Sequence, residues 1–228
     1  MSFKAKLLFI TLEIFLLSLI LAIIPSLSLA SYSKKTARKD FLIGIKNLKQ
    51  YHFLKASNDF KKVLTFNSTN TGAHFYLGVS SYYLHNYLTA ETNFLWVEAH
   101  SPAMPMNYIY LGRTYYDSGH FNLAQKNFEI ADKLDAQISI IHYYLGLIDY
   151  KFKKIAVSIH EFRQAVQLDP TMAKAYYALS FLFYYKEKKI SVALYELNKI
   201  FHCFIDPPLR LKALKLRAKI LNKLKKIQ

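Results

Sequence analysis

The sequence predicts an all-α protein: a solenoid of stacked helix–turn–helix hairpins ending in a C-terminal helix. Three observations predict it. First, Gly44, Gly78, Gly112 and Gly146 repeat every 34 residues (44 to 78, 78 to 112, 112 to 146) and make up four of the six glycines. Second, three more sets keep that register: Phe60, Phe94, Phe128 and Phe162; Phe53, Tyr87, Phe121 and Ile155; and Ala56, Ala90, Ala124 and Ser158. Third, each period holds two amphipathic stretches around a tight turn. Between Pro105 and Ile138, Tyr108, Leu111, Gly112 and Tyr115 share one helical face, and Ala124, Phe128 and Ala131 share another. Gly119 stands where the chain must reverse. A hairpin this small cannot bury both faces alone, so its neighbours must cover it.

In chain order, Lys4 and Lys6 precede an apolar run from Leu7 to Ile24 that is broken by Glu13 and small polar residues. Pro25 ends the run, and Ser28-Leu29-Ala30 puts small residues where a signal peptidase cuts. As one helix the run would be ~27 Å long, just short of a ~30 Å hydrocarbon core. A carboxylate near its middle costs about 2–3 kcal/mol. Residues 1–30 are therefore expected to be a cleaved signal peptide. The alternative is an uncleaved anchor through residues 7–24. Basic residues flank both ends, Lys4 and Lys6 against Lys34, Lys35, Arg38 and Lys39, so charge does not set the orientation. The rest of the chain is expected to work outside the cytoplasm, periplasmic or secreted.

Residues 31–36 read as a polar linker, and residues 37–207 as five hairpins: 37–70, 71–104, 105–138, 139–172 and 173–207. The mid-helix glycine removes a Cβ where the paired helix approaches, with the small Ala or Ser opposite it. Each Phe is expected to fill the space between one hairpin and the next. Glycine inside a helix costs ~1 kcal/mol relative to alanine, which the closer packing offsets. Prolines 102 and 170 end second helices, because the residue before a proline is pushed out of α geometry. In the fifth unit Ser180 stands in the glycine place. Its turn, Lys186 to Lys189, is one residue longer, and Ala193 and Leu197 take the small and large roles. Pro207-Pro208 closes it.

The residues Leu77-Gly78, Ala90, Phe94 and Pro102, then Leu111-Gly112, Tyr115, Ala124, Phe128 and Ala131, then Leu145-Gly146, Phe162, Ala165 and Leu168-Asp169-Pro170 resemble the tetratricopeptide repeat family. The resemblance runs from Ala37 to about Pro207. Departures are Ser68 and Ala136 in place of the closing proline, and Ser81 and Asp149 where an aromatic is usual. The resemblance implies a right-handed superhelix whose first helices line a concave groove for a peptide or partner helix. Carried over by register, one row of that groove is Phe75, Ile109, Tyr143 and Tyr177. A second is Tyr82, Tyr116, Tyr150 and Tyr184, with Arg113 beside them. Tyrosines give large amphipathic contact area at low entropy cost, though the same rings could serve only to pack adjacent helices. The expected ligand is an extended or helical apolar–aromatic segment. The Lys/Asn/Arg set with which some family members clamp a C-terminal carboxylate is absent, since the aligned positions are mostly aromatic or aliphatic.

The last segment, 208–228, reads as a basic amphipathic helix. Leu209, Ala213, Leu216, Ile220, Leu224 and Ile227 form one stripe, and no acidic residue accompanies it. It is read as a cap over the apolar end of the last repeat. Arg210, Lys212, Lys215, Arg217, Lys219 and Lys223 could also bind an anionic membrane surface or nucleic acid. The net charge of +16 points the same way, and signal cleavage would lower it by only one. Nucleic acid is the lesser partner for an exported chain.

The residues offer no catalytic constellation. The eight histidines are scattered across repeat positions, and His160-Glu161 lacks the second histidine of a zinc-protease helix. No phosphate-cradling glycine loop or nucleophile elbow occurs. The single cysteine, Cys203, cannot form an intramolecular disulfide. A non-enzymatic interaction scaffold with no metal or cofactor is the expectation.

Overall fold

The computed structural model describes residues 34–226, so the expected signal or anchor, the first half of the linker and Ile227 lie outside it. Among the described residues there are eleven α-helices, one short 3-10 turn and no strand. The helices come in antiparallel pairs: α1 (Lys34–Lys49) with α2 (Phe53–Phe66), α3 (Thr71–Tyr83) with α4 (Tyr87–His100), α5 (Pro105–Asp117) with α6 (Phe121–Leu134), α7 (Ser139–Lys151) with α8 (Ile155–Leu168), and α9 (Ala173–Tyr185) with α10 (Ile190–Lys199). A 3-10 turn at Ile200–His202 leads to α11 (Pro207–Lys225). The chain forms two compact units, one ending at Val97 inside α4 and the other starting at Glu98.

The turn inside each hairpin is built the same way. Tyr51, His85, Gly119, Lys153 and Lys188 all have positive φ, between 55° and 85°. The amide that follows donates to a carbonyl in the last turn of the preceding helix: His52 to Asn47 (2.8 Å), His120 to Tyr115 (2.8 Å), Lys154 to Asp149 (2.9 Å). This six-to-one bond and its left-handed residue close a helix end that would otherwise leave carbonyls unpaired. Glycine is therefore a convenience at Gly119 rather than a requirement of the turn. In the fifth hairpin the corresponding bond, Lys189 to Phe183 (2.8 Å), spans one residue more.

Packing inside each of the first four hairpins is fixed by a ring on a glycine. A Cβ on Gly78 would lie 2.6 Å from Phe94, one on Gly112 3.0 Å from Phe128 and one on Gly146 2.7 Å from Phe162. The phenylalanine itself thus meets the bare helix backbone, whereas the sequence reading gave that contact to the small Ala or Ser. The rings do reach the next hairpin as well. Phe60 stacks on Tyr76 (5.6 Å) and Phe128 on Tyr144 (5.0 Å, 9° between planes). All four phenylalanines are buried. Small polar residues close the remaining gaps: the Ser158 hydroxyl donates to the Gly146 carbonyl (2.7 Å), and Ser180 to Ala193 (2.8 Å).

In the second unit one core runs through α8, α9, α10 and α11. Ala213, Leu216 and Ile220 of α11 are buried in it, with Leu209 and Leu224 packed at its edge. Asp206 caps α11 by accepting from the Leu209 amide at 2.8 Å. No helix among the described residues is long and apolar enough to cross a membrane.

Candidate binding groove

The first helices of successive hairpins begin in strict register, at Pro105, Ser139 and Ala173, and α11 continues it at Pro207. The C-terminal helix is therefore more than a cap. It occupies the place of the first helix of a further hairpin, and its first turn faces α9. Together α7, α9 and the start of α11 enclose a cavity of about 420 Å³. Tyr143, Leu147 and Tyr150 come from α7, Tyr177, Ala178 and Phe181 from α9, and Pro208 and Leu209 from α11. Phe162 closes it below, while Lys174, Lys212 and Asp206 supply its polar groups.

The hydroxyls of Tyr143 and Tyr177 stay neutral. Burial, reinforced by the neighbouring rings of Tyr144 and Tyr116, pushes the Tyr143 phenol far above its ordinary range. Burial likewise raises Tyr177. Both can donate a hydrogen bond at any physiological pH. Phe181 meets Tyr150 edge-on (6.1 Å). An apolar aromatic wall with a few convergent polar groups suits an apolar or aromatic side chain that carries one polar end.

Of the nine residues expected to line a groove, the structure brings Tyr143, Tyr150 and Tyr177 to this one cavity. Ile109, 1 % exposed, and the buried Phe75 and Tyr82 belong to the core instead and present almost no surface. Their backbone register matches the other tyrosines, but neighbouring side chains cover them. Tyr116 is half-buried and packs against Phe121 and Tyr144 (both 5.4 Å). The Arg113 guanidinium lies over the rings of Tyr110 (5.1 Å) and Tyr144 (5.9 Å). Tyr184 lines a separate cavity with Lys219, Lys223 and Lys226. Among the groove residues that the sequence reading missed are Leu147, Phe181, Pro208 and Leu209. The 34-residue step from Ala173 to Pro207 would have pointed to the last two. Arg210, Lys215, Arg217, Lys219 and Lys223 are exposed along α11, and Lys212 stands at the mouth of the groove.

Beside the groove, His142 of α7 ties two hairpins together. Its Nδ1 bonds Glu161 of α8 (2.9 Å), and its Nε2 lies 3.5 Å from Asp132 of α6. The hydrogen bond to Glu161 raises the His142 pKa above its ordinary 6.5. Partial burial opposes the shift, and the two carboxylates add to it. A raised folded-state pKa means that the stabilisation is fully present below about pH 6.5 and is lost as pH rises through the folded value. The melting-temperature difference between the wild type and His142→Gln should therefore be largest in mild acid and shrink at alkaline pH. A difference independent of pH would show that the charge plays no part.

Among the described residues, no group of three or more His, Cys, Asp or Glu side chains is placed to hold a metal. Cys203 is half-buried, with its thiol 3.5 Å from the Lys199 carbonyl, and burial raises its pKa.

No protein-family model matches the chain, and no curated protein matches it. Solved structures do. A thermophilic TPR protein of Thermus thermophilus, TTC0263, superposes with a TM-score of 0.65 at 18% identity, covering 79% of this chain and 98% of that one. PilF of Pseudomonas aeruginosa gives 0.69 at 16% identity, covering 85% and 92%. YrrB, described as a TPR protein with an unusual peptide-binding site, gives 0.60 at 20% identity, covering 80% and 94%. The glycine–phenylalanine hairpins and these superpositions agree: the fold of this chain is that of the tetratricopeptide repeat proteins.

Proposed function

We propose that the chain is a non-enzymatic protein-interaction scaffold that takes an extended or helical apolar–aromatic segment of a partner between α7, α9 and the start of α11. The observation that carries this reading is the cavity itself, which three first helices enclose and wall with aromatic and aliphatic side chains. A peptide can leave its backbone in solvent and bury one or two large side chains there, which is how a few anchors carry most of an interface. The fold's likeness to a protein with a peptide-binding site supports the reading.

Peptides selected from a random displayed library against the full chain should be enriched in Phe, Trp, Leu and Ile. Ala178→Trp, which fills the cavity, and Tyr177→Ser, which removes a wall, should each weaken the selected peptides by about tenfold or more. Equal affinity in both variants would contradict the proposal.

The scaffold is further proposed to act in an envelope-associated assembly, with residues 1–30 removed as a signal peptide. The supporting observation is the Lys-flanked apolar run ahead of Ala30. An intact mass beginning at Ser31 in an extracytoplasmic fraction is the expected result. A full-length mass in the membrane fraction would support the anchor through residues 7–24 instead.

A further inference from the structure

The outer face of α11 carries a row of apolar side chains that remain partly exposed. Leu211, Leu214 and Leu221 are 54 %, 45 % and 37 % exposed, and Ala218 between them is exposed too. These four fall at i, i+3, i+7 and i+10 on one face, opposite the buried stripe of Ala213, Leu216 and Ile220. The register explains why the face exists. Leu214 stands 34 residues after Ser180 and 68 after Gly146, positions that are buried beneath a second helix in their own hairpins. The same face of α11 has no second helix packed over it among the described residues, and its leucines stay 37–54 % exposed.

Charge identifies the occupant. Eight Lys or Arg residues and no carboxylate lie between Pro207 and Lys226. All eight are exposed, and none makes an ion pair with a described residue. Arg210 and Lys215 flank the leucine stripe on its two sides, while Arg217 lies over the Phe201 ring (5.7 Å) and the Lys219 ammonium donates to the Tyr185 hydroxyl (3.3 Å). A second copy of the chain would bring the same eight cations and be repelled. Nucleic acid would satisfy the cations but leave the leucines in water. A bilayer with anionic headgroups satisfies both: the leucines enter the boundary between headgroups and acyl chains while the cations meet phosphates. On α1, Leu42 and Ile43 are also exposed among Lys35, Arg38, Lys39 and Lys46, the same chemistry in a separate place.

We infer that α11 lies on an anionic membrane surface through Leu211, Leu214 and Leu221 and the basic residues beside them. The stripe is ~15 Å long, which suits a helix lying in the plane of the interface rather than crossing it. This contact is independent of the groove and leaves it open to a protein partner.

The test is co-sedimentation of the full chain with vesicles of phosphatidylcholine alone or of equal parts phosphatidylcholine and phosphatidylglycerol. Binding through the N-terminal apolar run would show on both compositions; α11 should add binding only to the anionic ones. Leu211→Ser/Leu214→Ser/Leu221→Ser and Lys215→Glu/Lys223→Glu/Lys225→Glu should each lower anionic-vesicle partitioning about tenfold and leave neutral vesicles unaffected. Helical circular dichroism should not change, since every altered side chain is exposed. If the triple leucine variant melts lower, Leu211→Gln alone, at the most exposed of the three, decides by the same readout. Undiminished binding in the variants overturns the inference. So does duplex DNA binding that the leucine variant retains in full, or a dimer that it dissolves.

Discussion

Phe128→Ala is expected to lower the unfolding free energy by about 3–5 kcal/mol, the range for truncating a fully buried aromatic. The site has little means of collapsing around the loss. Gly112 offers no side chain to move into the space, and the Tyr144 ring that stacks on Phe128 at 5.0 Å is itself held by Tyr116 and Tyr143. Because repeats are coupled mainly to their neighbours, urea unfolding of the variant should lose cooperativity as well as midpoint. Leu123→Ala, on the exposed side of the same helix, should cost under about 1 kcal/mol. Similar midpoints for the two variants would show that Phe128 does not hold the hairpin together.

Gly146→Leu tests the same contact from the other side. Its Cβ alone would stand 2.7 Å from the Phe162 ring, and the rest of the leucine needs space that the ring already fills. Phe162 cannot swing away, because it is buried and packed against Tyr143 at 5.9 Å. The hairpin must therefore open, at about 3 kcal/mol or more, beyond ordinary overpacking. Emptying the ring's place should undo part of the damage. The double variant Gly146→Leu/Phe162→Ala is expected to melt higher than Gly146→Leu alone, a coupling that only direct contact produces. A double variant that melts lower than both singles would mean that glycine serves another purpose there.

The hairpins could be read from the sequence because their cause is local and periodic. A glycine every 34 residues, with a phenylalanine sixteen positions on (Gly112 to Phe128), is a steric requirement that the chain must state each time. What the rings touch was harder to read. Spacing places Phe128 and Ala124 on one face, but only the closeness of the two backbones decides that the ring meets the glycine. The groove was half legible for a similar reason. Phe75, Ile109, Tyr143 and Tyr177 share a register position, yet exposure depends on what the neighbouring helices place over it. So Tyr143 lines a cavity and Ile109 is core. His142 gave no sequence signal, because its partners Asp132 and Glu161 sit on two other helices. The place of α11 in the groove was hidden by its composition: the lysines suggest a cap or an anion-binding helix, and only the 34-residue step from Ala173 to Pro207 marks it as the first helix of a further hairpin.

The central claim is that a partner segment occupies the space between α7, α9 and the first turn of α11. Hydrogen exchange of the full chain with and without a selected apolar–aromatic peptide tests it most directly. Added protection should concentrate in α7, α9 and Asp206 to Lys212, with α6 and the outer face of α8 unchanged. Protection confined to second helices, or spread evenly over the chain, would contradict the account.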